Sequence, residues 1–157
     1  MLPLIRISKA NNEVKIFPEY DYKLNFDGCS KGNPGLAGAG AVIYHLGKEH
    51  WNNYLFVGEK FTNNYAEYMG LIIGLRHAKE LGIKQLNVEG DSQLVIYQMK
   101  GIYKCKSENL IDLYNEAKEL ADYFEKIEYN HVLRIFNKRA DELSNIAIYE
   151  HQISIEN

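Results

Sequence analysis

Long apolar runs are missing from this 157-residue sequence, and nothing in it approaches the roughly 20 apolar residues that a membrane-crossing helix requires. The first residues, Met1-Leu2-Pro3-Leu4-Ile5-Arg6, meet a charge too early for a secretory leader, so the expected setting is the cytosol, or the nucleus of a eukaryote. Cysteine is scarce. Cys29 and Cys105 stand far apart and outside any Cys-x-x-Cys or Cys/His grouping, which argues against zinc and, in a reducing compartment, against a disulfide. Two free thiols are expected. A basic excess is lacking too: the net charge is −3, whereas proteins that grip phosphates usually present a basic surface. That sum leaves nucleic acid open, because a site that gathers carboxylates around divalent ions lowers the total while each ion neutralises part of it.

What is present suits one compact domain, with 46% hydrophobic and 25% charged residues and neither repeats nor low-complexity linkers. We read residues 1–20 as a lead-in punctuated by Pro3 and Pro18, residues 21–150 as the domain, and 151–157 as a tail. The lead-in can add an edge strand, bind a partner or be partly disordered. Tyr22, Leu24 and Phe26 alternate with Lys23, Asn25 and Asp27, the period of a half-buried strand, and a glycine-rich turn, Gly28 to Gly35, follows. Strand-like stretches cover about 38–46 and 51–58, and Trp51 there reads as packing. The period then changes: Thr62-Asn63-Asn64 offers N-caps for a helix over 66–81 that Gly82 ends. A strand over 84–89 follows. Ser92 caps a short helix to Met99, and Ser107 opens a longer one with Leu110, Leu113, Ala117, Ala121 and Phe124 on one stripe. Residues 127–136 read as a strand, and Asn137 as the cap of a last helix with Ala140, Leu143 and Ala147 inward. Three strands, helix, strand, two helices, strand, helix imply an α/β fold: a five-stranded mixed sheet, antiparallel first and parallel through the crossovers, with helices on both faces.

Four acids occupy telling places. Asp27 ends the first of these strands, Glu67 lies near the start of the first long helix, Asp91 follows the fourth, and Asp141 sits in the opening turn of the last helix. Taken singly, Asp27 and Asp91 suit turns and Asp141 suits a helix dipole. Glu67 is different, because Leu71, Gly74, Leu75 and Ala78 continue an apolar stripe from it, and a buried acid needs a partner or a metal. Oxygen ligands without His or Cys suit Mg²⁺ or Mn²⁺. Two such ions, about 3.5–4 Å apart, can clamp the attacking and leaving oxygens of a phosphodiester.

The motifs are specific. Phe26-Asp27-Gly28-Cys29-Ser30-Lys31-Gly32-Asn33-Pro34-Gly35, Thr62-Asn63-Asn64-Tyr65-Ala66-Glu67-Tyr68, Gly90-Asp91-Ser92-Gln93-Leu94-Val95, and His131-Val132-Leu133-Arg134 with Asn137, Ala140 and Asp141 occur in one order over residues 22–149. Together they resemble type 1 ribonuclease H, in its short branch. The resemblance implies the ribonuclease H-like fold and an endonuclease that hydrolyses the RNA strand of RNA–DNA hybrids, leaving 5′-phosphate and 3′-hydroxyl ends. It implies two divalent ions held by Asp27, Glu67, Asp91 and Asp141. It further implies that Gly28, Cys29, Ser30, Asn33, Asn64 and Gln93 meet the minor groove and its 2′-hydroxyls, the group that separates RNA from DNA. Thr62 and Asn63 would hold a DNA-strand phosphate. For these small polar residues the plain alternative is turn and cap chemistry.

Two departures stand out. Many relatives carry a basic helical protrusion, whereas Met99 to Ser107 is a short link with Lys100, Lys104 and Lys106. Many also carry a product-release histidine before the last aspartate. By spacing Arg134 or His131 can take that place, and strand alternation sets the two on opposite sides. We favour Arg134, seven residues before Asp141, by resemblance to the short branch. Other enzymes on this fold, such as transposases and junction resolvases, share the acids, and a non-catalytic hybrid-binding module is a second alternative. The presence of all four acids favours an enzyme, and the Gly28–Asn33 turn favours hybrids. No obligate protein partner is implied, and a monomer is expected.

Overall fold

The computed structural model describes residues 5–10, 13–18 and 20–156, with side chains from residue 20 onward. Strands β1 (Ile5–Ala10) and β2 (Glu13–Pro18) pair antiparallel in a sheet of their own. Among the described residues the lead-in therefore forms a separate hairpin rather than an edge strand of the main sheet.

The main sheet has five strands: β3 (Tyr22–Lys31), β4 (Gly35–His45), β5 (Lys48–Phe61), β6 (Gln85–Gly90) and β7 (Lys126–His131). Their spatial order is β5-β4-β3-β6-β7. The first three are antiparallel neighbours, and β3–β6 and β6–β7 run parallel, as the strand-helix order requires. Helices α1 (Asn63–Glu80), α2 (Gln93–Met99) and α3 (Ile111–Ala121) cover one face, and α4 (Lys138–Glu156) covers the other. The larger core lies under α1–α3, where Phe26, Ile43 and Val88 meet Leu71, Leu75 and Ile96. The smaller core holds Val42 from the opposite face of β4 against Ala140 and Leu143 of α4.

Several expectations shift. β3 is the central strand with helices over both its faces, so Leu24, Asn25, Phe26, Asp27 and Gly28 are all buried, and the polar members of the alternation are not on a wet face. β3 also runs through the glycine turn to Lys31, which places Asp27 inside the strand rather than at its end. α1 begins earlier than residue 66, at Asn63, with Thr62 Oγ1 accepting from the Tyr65 N–H at 3.2 Å. Ser92 caps α2 similarly, accepting from the Val95 N–H at 3.3 Å. α3 starts at Ile111 rather than Ser107, although the predicted stripe is the buried one. Residues 151–156 continue α4 instead of forming a tail, with His151 stacked on Phe56 at 3.7 Å. Trp51 packs on the larger core and stacks on His77 at 4.1 Å. No helix among the described residues is long and apolar enough to cross a membrane.

Candidate active site

The carboxylates meet because two glycines let α1 lie against β3. A Cβ on Gly28 would stand 2.2 Å from the Ala66 carbonyl carbon and the Glu67 nitrogen, and one on Gly70 would stand 2.5 Å from the Asp27 carbonyl oxygen. Only hydrogen fits at either place, so the backbones carrying Asp27 and Glu67 come close enough for their side chains to meet. Asp91 joins from the end of β6, the strand next to β3. One oxygen from each of Asp27, Glu67 and Asp91 lies within 4.8 Å of the others. Asp141, in the first turn of α4, lines the same cleft and is hydrogen-bonded to Asp27. All four acids line one cleft of about 380 Å³.

Crowding and burial set the electrostatics. Asp27 is 4% exposed and Glu67 is 7% exposed. Burial pushes the Asp27 carboxyl up to about 8; the Asp91 charge and the bond to Asp141 also raise it, against hydrogen bonds from Glu67 and the Gly28 backbone. Burial, then the Asp27 charge, holds the Glu67 carboxyl well above its ordinary range. Glu67 Oε2 is buried without a hydrogen-bond partner. A buried carboxylate oxygen with no donor, beside two further carboxylates, is the environment a hard cation relieves. The donor set is all oxygen, which fits Mg²⁺ or Mn²⁺ and not a thiolate- or imidazole-seeking metal.

Of the other residues singled out in the sequence, Gly28, Cys29 and Asn63 form part of the cleft wall. Ser30, Asn33 and Asn63 build a brace behind it. The Ser30 N–H donates to Asn63 Oδ1 at 2.7 Å, the Asn63 N–H donates to Asn33 Oδ1 at 3.0 Å, and Ser30 Oγ donates to the Phe61 carbonyl at 2.7 Å. Thr62 is the α1 cap, Asn64 is exposed in the first turn, and Gln93 is exposed with Nε2 3.5 Å from the Tyr103 hydroxyl.

The expectation that Arg134 and His131 face opposite sides is overturned. It assumed a strand to residue 136, but β7 stops at His131 and Arg134–Phe136 form a 3₁₀ turn. Both residues line the cleft. His131 Nε2 lies 3.2 Å from the Asp91 carbonyl oxygen, and the exposed Arg134 guanidinium lies 3.8 Å from Asp141 Oδ1. Two residues escaped the sequence reading. Asn145 Nδ2 donates to the Asp141 carbonyl at 2.9 Å and to Asp141 Oδ1 at 3.3 Å; its place one turn beyond Asp141 is the signal that would have found it. Asn25 is buried against Asn137, a role its alternation with Leu24 and Phe26 concealed.

A mixed sheet of this order, with acids on β3, α1, the end of β6 and the start of the last helix, defines the ribonuclease H-like class of α/β proteins. The sequence pattern of the family described as "Reverse transcriptase-like" matches residues 25–147. The "Bifunctional protein Rv2228c" of Mycobacterium tuberculosis is 44% identical over 126 residues, which are 78% of this chain and 34% of that protein. Its N-terminal RNase H domain, solved as a fusion with maltose-binding protein, superposes with a TM-score of 0.82 at 40% identity, covering 87% of this chain and 99% of that one. The "Ribonuclease H" of Chromobacterium violaceum is 33% identical over 76% of this chain and 88% of that protein. LC11-RNase H1, solved in complex with an RNA/DNA hybrid, superposes with a TM-score of 0.78 at 34% identity, covering 83% of this chain and 99% of that one. The chain belongs to the type 1 ribonuclease H family. It spans about a third of the length of the mycobacterial relatives it matches.

Proposed function

We propose that this protein is an endoribonuclease that hydrolyses the RNA strand of RNA–DNA hybrids with two divalent metal ions, leaving 5′-phosphate and 3′-hydroxyl ends. The observation that carries this reading is the cluster of buried Asp27 and Glu67 with half-buried Asp91, with the unpartnered Glu67 oxygen inside it and Asp141 adjoining. LC11-RNase H1, of the same fold and 34% identical, was solved with a hybrid bound, which supports the substrate class. Mg²⁺, or Mn²⁺ in its place, would neutralise the four acids, activate a water and offset charge on the leaving oxygen.

The chain's own residues supply the rest. Asp27, Glu67, Asp91 and Asp141 would hold the two ions. Buried behind them, β3 and α1 keep the acids from moving apart as charge accumulates. The brace of Ser30, Asn33 and Asn63 would set the backbone of Gly28 and Cys29 against the minor groove, where the 2′-hydroxyl marks RNA. Asn64 and Gln93, both exposed, would contact the hybrid from the starts of α1 and α2, and Thr62 with Asn63 would steady a DNA-strand phosphate. Arg134 would shield charge on the cleaved phosphate and help it leave. The protein is proposed to act as a monomer.

The test is a hybrid labelled at its RNA 5′ end, incubated with Mg²⁺ or Mn²⁺ and with chelator, followed by end-group analysis. Cleavage only with metal, giving 5′-phosphate and 3′-hydroxyl termini, is expected. Cyclic 2′,3′-phosphate products or chelator-resistant cleavage would contradict the two-metal reading.

A further inference from the structure

We infer that Asn137, held in orientation by Asn25, is a positioning residue that fixes Asp141 at its distance from Asp27. This rests on the reading of the acids as holders of divalent ions.

Asp27 and Asp141 lie 114 positions apart in sequence, and beyond the hydrogen bond between their carboxyl groups one residue, Asn137, links their backbones. The β3–β6 ladder ends at the Phe26–Gly90 pair, and at that end the Phe26 carbonyl accepts from Asn137 Nδ2 at 2.9 Å. The Asn137 carbonyl in turn accepts the Asp141 N–H at 3.1 Å. An unbroken path of hydrogen bonds therefore runs from the peptide before Asp27, through one side chain and its own backbone, to the peptide of Asp141. Asn137 does not use its side chain to cap α4, the role its position just before Lys138 suggested. It is 1% exposed and points into the β3–α4 contact.

Asn25 explains how the amide keeps its sense. A side-chain amide has a donor end and an acceptor end of nearly the same shape, and only the donor end can serve the Phe26 carbonyl. Asn25 Nδ2 donates to Asn137 Oδ1 at 3.1 Å, which selects that orientation. Asn25 is itself 3% exposed, and its Oδ1 is buried without a partner. A buried orphan acceptor is unfavourable for stability alone, where an apolar side chain would serve better. Its retention beside the acids points to placement. Four carboxylates that repel one another need a strut that holds them apart at a set spacing, and a further polar contact between α4 and β3, Cys29 Sγ to Asn145 Oδ1 at 3.9 Å, is longer than either bond of Asn137.

The experiment uses Asn137→Ala and Asn25→Leu. Mn²⁺ binding is measured by calorimetry without substrate, kcat and KM on a hybrid by steady-state kinetics, stability by thermal melting, and the Asp141 amide by NMR in chelator. Loss of a group that orients metal ligands typically lowers metal affinity by about 10- to 100-fold. Asn137→Ala should fall in that range, with kcat at low Mn²⁺ reduced, partly restored at high Mn²⁺, and KM for hybrid changed by no more than about twofold, since no substrate contact is lost. Asn25→Leu should weaken Mn²⁺ in the same direction but less. Its melting temperature should stay near wild type, because it removes one orphan acceptor and leaves another on Asn137. If Asn137→Ala fails to fold, Asn25→Leu decides. Lowered stability with unchanged Mn²⁺ affinity and unchanged kcat would overturn the proposal. A wild-type protein that takes up no Mn²⁺ would instead overturn the metal reading; the strut is then judged by the Asp141 amide, whose resonance must move in Asn25→Leu for the proposal to stand.

Discussion

At the scale of single residues, the chemistry is concentrated in acids whose charges the fold makes costly. Asp91→Asn keeps the shape of the side chain and replaces a hard anionic ligand with a poor neutral one. Cleavage should fall to background while the melting temperature in chelator stays level or rises, because repulsion among the acids is relieved. Near-normal turnover by a folded Asp91→Asn protein would remove the metal-site assignment. The same crowding gives a pH signature. The Asp27 carboxyl is raised from 3.8 to about 8, so between those values the folded chain binds more protons than the unfolded one. Stability of the metal-free protein should therefore be fully present below pH 4 as far as this group is concerned, and decline as pH rises toward 8. Melting in chelator across pH 5 to 8, for wild type and Asp27→Asn, isolates the effect. The wild-type decline should be steeper, and Mn²⁺ should stabilise wild type more at pH 8 than at pH 5. Equal pH slopes would mean that Asp27 titrates normally. Arg134→Ala should lower turnover with Mn²⁺ affinity almost unchanged, and Arg134→Lys should rescue only part, since an ammonium loses the planar fork. The plain alternative is an exposed ion pair with Asp141, 3.8 Å away, worth at most about 1 kcal/mol and without effect on turnover. If His131→Ala alone slows the enzyme, the role passes to His131.

At the scale of elements, most of the order was legible because each boundary carries local chemistry. Thr62 and Ser92 do cap their helices, Gly82 and Gly101 take positive φ after α1 and α2, and the α3 stripe reads correctly from spacing alone. The failures occur where tertiary structure overrides local pattern. Residues 132–136 look like strand because Val132, Leu133, Ile135 and Phe136 are apolar, yet the chain leaves the sheet after His131 and exposes Leu133, Ile135 and Phe136, with Leu133 on the cleft wall. Alternation at Asn25 and Asp27 meant a wet face only if that face of β3 were uncovered, and α4 packs on it. The four acids were found because each stands in a recognisable motif; Asn25 and Asn145, which hydrogen-bond Asn137 and Asp141, stand in none. Element packing also gives a test with opposing terms. Gly70→Ala would favour helix by about 1 kcal/mol on propensity. Its new Cβ would sit 2.5 Å from the Asp27 carbonyl oxygen and 3.0 Å from that of Gly40, both backbone atoms that cannot swing aside. Overpacking of this kind typically costs about 1–3 kcal/mol, so destabilisation should win. A Gly70→Ala protein with a raised melting temperature would show that α1 does not press on β3 as described.

At the scale of the whole molecule, the proposed substrate is a polyanion, whereas the chain carries a net charge of −3. The link between α2 and α3 carries Lys100, Lys104 and Lys106 but no helical protrusion, so few phosphate contacts are expected. Hybrid affinity, measured in Ca²⁺ to suppress cleavage, should be weak and fall as salt rises. Tight binding indifferent to salt would reveal a contact surface outside the cleft. The central claim, that the Asp27–Glu67–Asp91–Asp141 cleft cuts RNA opposite DNA, is tested most directly with three duplexes of one sequence, RNA–DNA, RNA–RNA and DNA–DNA, each strand labelled in turn and incubated with Mg²⁺ or Mn²⁺. The expected result is cleavage of the RNA strand of the hybrid, with the DNA strand and the DNA duplex intact. Cutting of the DNA duplex at a similar rate, or no cutting of the hybrid in either metal, would contradict it.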